Sequence, residues 1–192
     1  HESAEGYYPI HYAIMGVTTK GSTIHNVEIV HFLLDCDPNM TLRKYQGICS
    51  LLHFACFREY NDSNIDAAVE IIKAIYDIHP EAIEENRISS TIQSCHQQIQ
   101  TFINSQLVYA RLAKDRRLMT TPDDSRQLPL HTALQNNATL GSIKLLVKGN
   151  PPVVQSPDNS GLLPLHVACV QHYSASVIQY LIGLDATTLD AV

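Results

Sequence analysis

The stretch Gly161-Leu162-Leu163-Pro164-Leu165-His166-Val167-Ala168, entered through Asp158-Asn159-Ser160, decides the fold. Gly161 suits a turn that needs positive φ. Pro164 suits the first turn of a helix, the one place where a missing N–H costs nothing. His166 follows an aliphatic residue, and Ala168 lies two positions on. Three other stretches share this order: Gly6-Tyr7-Tyr8-Pro9-Ile10-His11-Tyr12-Ala13, Ile48-Cys49-Ser50-Leu51-Leu52-His53-Phe54-Ala55 and Arg126-Gln127-Leu128-Pro129-Leu130-His131-Thr132-Ala133. The four histidines are 42, 78 and 35 residues apart. A fixed period of this size marks a stack of repeated supersecondary units, about 33 residues long in one common form.

Each stretch is followed by a second apolar segment. These are Val27-Glu28-Ile29-Val30-His31-Phe32-Leu33-Leu34, Ala67-Ala68-Val69-Glu70-Ile71-Ile72-Lys73-Ala74-Ile75, Ile143-Lys144-Leu145-Leu146-Val147 and Val177-Ile178-Gln179-Tyr180-Leu181-Ile182. Apolar residues recur at i, i+3 and i+4, so each segment predicts a helix with one buried face. The unit is therefore a helix pair.

The pattern resembles the ankyrin repeat, with its T-P-L-H-x-A signature, its D-x-x-G turn and its apolar second helix. The resemblance implies an all-α, ankyrin-type solenoid of stacked helix pairs. As one domain over 1–192 it holds repeats at about 5–42, 46–84, 122–156 and 157–192, with a degenerate unit at 85–120. In that family the signature histidine is structural, a role that carries over to His11, His53, His131 and His166. The family binds partner proteins through a concave face built from turn tips and first helices. Carried over by position, the candidate contacts are Tyr7 and Met15 in the first repeat, and Cys49, Phe57 and Arg58 in the second. The third offers Asp124, Ser125, Gln127, Gln135 and Asn136, and the fourth Asn159, Ser160, Leu162, Val170 and Gln171. Tyr7, Met15, Phe57 and Arg58 are the stronger anchor types, since aromatic residues and Arg dominate interface energetics.

Departures from the pattern are specific. The usual capping Thr is Tyr8, Leu128 and Leu163, and only Ser50 keeps a hydroxyl. A lost cap costs about 1 kcal/mol unless another group replaces it. Arg126 stands at a Gly position, and Leu51 replaces Pro.

Residues 85–120 lack the signature. Ile88, Ile92, Cys95, Ile99, Phe102, Ile103, Leu107 and Ala110 follow helical spacing, and neither Gly nor Pro interrupts. This predicts one long helix over about 90–118. Arg111, Lys114, Arg116 and Arg117 are expected at its C-terminal end, where cations favour the helix dipole. The helix either continues the stack or docks a partner. After Asp190-Ala191-Val192 another turn is expected, so further repeats or a neighbouring subunit should cover that end. A permanent multi-subunit assembly, docking through the middle helix or the open repeat ends, is the alternative to a scaffold or adaptor.

Composition removes other classes. The 13 basic and 19 acidic residues give a net charge of −6, unsuited to nucleic acid or anionic membrane. No apolar run approaches the ~20 residues of a membrane helix. Five cysteines, an odd number irregularly spaced, fit free thiols in a reducing compartment such as cytoplasm or nucleus. Cys49, His53 and Cys56 lie at i, i+4 and i+7 and suit zinc in type. His53 is already the repeat histidine, however, and no fourth ligand is evident, so no metal or other cofactor is assigned. No G-x-S-x-G, H-E-x-x-H or phosphate loop is present, so no catalytic residues are assigned either.

Overall fold

The computed structural model describes residues 3, 6–18, 23–45, 49–84, 88, 91–123 and 127–189. Among these the chain is mostly helical, and strand is confined to Lys44–Tyr45 (β1), antiparallel to Cys49–Ser50 (β2). The all-α class follows. The chain divides into two compact units, 1–107 and 108–192.

The first unit holds α1 (Pro9–Thr18), α2 (Thr23–Cys36), α3 (Leu51–Cys56) and α4 (Ile65–Ile78). α1 packs on α2 and α3 on α4, while α1 lies beside α3 and α2 beside α4. Their inward faces are the apolar stripes of the sequence. Ile10, Ile14, Val17, Val30, Leu34, Leu51, Leu52, Ile71, Ile72 and Ile75 are all buried. Each buried aliphatic side chain contributes roughly 1.5–3 kcal/mol by leaving water, which fixes the helix faces more firmly than local propensity does.

The second unit holds α6 (Arg116–Thr120), α7 (Pro129–Gln135), α8 (Leu140–Gly149), α9 (Pro164–Val170) and α10 (Ala175–Leu189). The division between units falls inside α5 (Gln97–Lys114). α7 packs on α8, α9 on α10, and α7 lies beside α9. Leu130, Ala133, Leu134, Ile143, Leu146, Val153, Val167, Ala168, Val177 and Leu181 share one core.

Pro9, Pro129 and Pro164 each open a helix. The missing capping hydroxyls are replaced by backbone. The N–H of His11 donates to the Tyr8 carbonyl, and that of His131 to the Leu128 carbonyl, both at 2.9 Å. Among the four signature helices Ser50 alone caps with a side-chain hydroxyl, its Oγ accepting the His53 N–H at 3.2 Å. Second helices end alike. Asp37, His79 and Asn150 are kept out of the helical region by the proline that follows each, with ψ of 87°, 72° and 79°, and a 3-10 turn begins at Pro38, Pro80 and Pro151.

The single helix predicted over 90–118 is three pieces, which corrects that expectation. A 3-10 turn spans Ile92–Ser94, Cys95 is extended (φ −81°, ψ 168°), and α5 starts only at Gln97. His96 Nδ1 accepts the Gln98 N–H at 3.3 Å, and Gln100 Nε2 donates to the Gln93 and Cys95 carbonyls. At the other end Asp115 is extended, and its carboxylate accepts the N–H groups of Arg117 and Leu118, capping α6. Side-chain capping by His and Asp thus breaks a run that no Gly or Pro marks. Arg111 and Lys114 do lie in the last turn of α5, but Arg116 and Arg117 begin a new helix. Ile99, Ile103, Leu107 and Ala110 form the buried face of α5 as their spacing requires.

Candidate partner-binding surface

The turn before three of the four signature helices is closed by the same pair of hydrogen bonds. In the fourth repeat the Asp158 N–H donates to the Leu162 carbonyl, and the Leu162 N–H returns to Asp158 Oδ1, both at 2.9 Å. In the third, Asp123 and Gln127 make the same two bonds at the same 2.9 Å. In the first, Ser3 and Tyr7 make them at 2.7 and 3.1 Å, with the serine Oγ in place of a carboxylate. Gly6 (φ 82°) and Gly161 (φ 78°) take positive φ in equivalent places. The residue after the histidine reaches back to this turn in two copies. Thr132 Oγ1 donates to Asp123 Oδ2 at 2.9 Å, and Tyr12 Oη to Ser3 Oγ at 3.3 Å.

The far end of the signature helix also repeats at 35 residues. The Ala138 N–H donates to the Ala133 carbonyl and the Tyr173 N–H to the Ala168 carbonyl, at 3.0 and 3.1 Å. Asn137 (φ 53°) and His172 (φ 55°) take the left-handed conformation that closes these ends.

The four histidines occupy different surroundings. Nδ1 of His11 accepts the Tyr8 N–H at 3.0 Å, and Nδ1 of His166 accepts the Leu163 N–H at 3.1 Å. His11 and His131 are fully buried, His53 is half-buried and His166 is exposed. His131 lies against the turn of the next repeat, where the backbone of Leu162 and Ser156 and the Asp158 carboxylate favour its charged form. Neither of its ring nitrogens makes a well-formed hydrogen bond. Burial outweighs those neighbours and pushes its pKa below the ordinary imidazole value. Asp158 is held below the usual carboxylate range, first by the Leu162 N–H, then by Ser160 and His131.

The candidate contact residues separate on this frame. Gln135, Asn136, Asn159, Ser160, Leu162 and Val170 are exposed, and Gln127 and Gln171 are half-buried. Gln135 and Asn136 end α7, while Val170 and Gln171 hold the equivalent places on the adjacent α9. Tyr7 is half-buried, its ring 5.5 Å from Tyr12 and 6.1 Å from Phe54, so the first turn meets the second signature helix. Arg58 lies over the Phe54 ring at 4.8 Å. Phe57 lies 4.3 Å from the His53 ring of its own helix, so part of its surface is spent within the repeat. Met15 is half-buried. Asp124 and Ser125 lie outside the described residues.

Sequence reasoning missed Ser3 and Asp123 as turn partners. Their signal was present: each stands four residues before Tyr7 or Gln127, as Asp158 does before Leu162. Exposed Tyr12 was missed too, because the residue after the signature histidine has no fixed type.

All five cysteines are free thiols. Among the described residues no three His, Cys, Asp or Glu side chains converge as a metal site requires, and no helix is long and apolar enough to cross a membrane. No family model, no curated protein and no solved structure matches the chain.

Proposed function

We propose that the chain is a protein-binding scaffold of the ankyrin-repeat kind, with no cofactor and no reaction of its own. The observation that carries the reading is the recurrence of one hydrogen-bonded turn at Ser3, Asp123 and Asp158, each placed before a helix opened by proline. A turn held by its own backbone frees its tip from packing, so side-chain identity there is open to a partner. The contact surface consists of the turn tips and signature-helix ends. Gln135, Asn136, Val170 and Gln171 lie at its centre in the second unit, and Tyr7, Tyr12 and Arg58 in the first.

The test is capture of proteins from the native lysate, read by mass spectrometry, comparing the parent with a variant carrying Gln135→Ala, Asn136→Ala, Val170→Ala and Gln171→Ala. The expected result is a partner held by the parent and lost by the variant, with equal helicity. Capture of the same partners by both overturns this placement of the surface.

A second reading, a subunit of a permanent assembly, draws on a different observation. Val108 and Leu118 near the middle, and Ile182 in the last repeat, are each at least half exposed. Under that reading the chain captures mainly copies of itself or a fixed stoichiometric set, and the four-residue variant does so unchanged.

A further inference from the structure

The second repeat departs from the others at its histidine. In the first and fourth repeats, Nδ1 of the signature histidine accepts the N–H of the residue three before it, which locks the start of the helix. In the second repeat the same nitrogen faces a sulfur. Cys49 Sγ stands 2.8 Å from His53 Nδ1. Ser50 Oγ takes the His53 N–H at 3.2 Å, so this helix start has a cap of its own kind. Cys49 lies in β2 at the turn position matching Tyr7, Gln127 and Leu162, and both members of the pair are half-buried, within reach of a small reagent.

From this geometry we infer that Cys49 and His53 form a reactive thiol–imidazole pair, a modification site that takes small oxidants and electrophiles of the peroxide class. An imidazole at hydrogen-bond distance accepts the thiol proton and holds the thiolate beside the imidazolium, and the thiolate is the nucleophile. With hydrogen peroxide the Cys49 sulfur attacks one oxygen. An S–O bond forms as the O–O bond breaks, sulfur is oxidised by two electrons and peroxide is reduced. The departing hydroxide takes the proton from His53 and leaves as water. The product is a sulfenic acid at Cys49 and a neutral His53.

The other thiols lack this arrangement. Cys56 is fully buried, and burial first, then the neighbouring Cys95 and Cys49, pushes its pKa up. Burial pushes Cys95 up to about 11. Cys36 and Cys169 are more exposed than Cys49, but among the described residues neither sulfur pairs with an imidazole as Cys49 does. Exposure and pairing therefore predict opposite orders of reactivity, which makes the inference testable.

The experiment treats the folded chain with hydrogen peroxide and a sulfenic-acid trap, and separately with iodoacetamide, and follows each cysteine by peptide mass spectrometry. Cys49 is expected to react about tenfold faster than Cys36 and Cys169. Its iodoacetamide rate should hold from about pH 8 down to about pH 6.5, where the unpaired thiols slow in step with falling pH. His53→Gln should bring Cys49 down about tenfold, to the level of Cys36, with Cys56 still protected. A Cys49 rate at or below that of the exposed thiols overturns the inference, and so does an unchanged rate in the His53→Gln variant with Cys56 protected. If that variant exposes Cys56 and so loosens the fold, the pH profile of the parent decides: a Cys49 rate that falls in step with Cys36 refutes the pair.

Discussion

His131 is fully buried among the residues of the second unit, and burial lowers its pKa from 6.5 against the opposing pull of Asp158 and the backbone of Leu162 and Ser156. The sign of the effect on stability follows by linkage. Below pH 6.5 the unfolded chain binds a proton that the folded chain resists, so stability is full above that pH and falls as pH drops through it. Denaturant titrations between neutral pH and the acid side of 6.5 should show this loss, and His131→Ala should remove the slope while costing about 2 kcal/mol at neutral pH for the vacated core volume. A slope that survives the substitution would place the titrating group elsewhere. Asp158 acts lower on the scale. Its lowered pKa stabilises the fold above the usual carboxylate value, 3.8, and that contribution is lost as pH falls below it. At Gly161 an added Cβ meets nothing within 4 Å, but φ is +78°. Gly161→Ala should therefore cost about 1 kcal/mol through backbone conformation alone.

At the scale of elements, the helix pairs were legible because burial follows the apolar periodicity of the sequence. Ile71, Ile72 and Ile75 in α4, and Ile143 and Leu146 in α8, were readable as an inward stripe and are one. The middle segment was not legible to the same degree. Its apolar spacing was right from Ile99 to Ala110, yet the helix ends depended on His96 and Asp115 acting as caps, and neither residue announces that role in isolation. Asp115→Ala should remove two acceptor contacts at the start of α6 and lower stability by about 1 kcal/mol, measured by thermal melting. Unchanged stability would show that packing against α7 and α8, not this cap, holds α6. Two helical glycines make a matched pair. A Cβ at Gly149 in α8 meets the Ala113 carbonyl oxygen at 2.5 Å, whereas at Gly183 in α10 it meets nothing. Gly149→Ala should destabilise by about 1–3 kcal/mol through the forced shift of α5, while Gly183→Ala should be neutral or stabilising. Equal effects would sink the claim that α5 and α8 pack closely there.

Over the whole molecule, what the sequence disclosed was the period, and what it hid was the chemistry that fills each period. The signature residues Pro129 and Pro164 and the glycines at the turns could be read directly, because few residues satisfy their backbone demands. Ser3, Asp123 and Asp158 perform one task with two chemistries, so identity of type does not reveal them, though position does. The candidate surface was harder still. Phe57 was a plausible anchor by type, and only the three-dimensional structure shows its ring engaged with His53, while Tyr12 carries exposed surface that no motif marks. The same hydrogen bonds that close the turn at Asp123 reappear 35 residues later at Asp158, and those that close the helix end at Ala133 reappear at Ala168. A segment whose bonds close upon themselves at a constant interval behaves as a cassette. A coding sequence that copies residues 122–156 in tandem hands the new copy a turn, a helix start and a helix end already written in matching grammar, so the chain can lengthen by whole words without being respelled.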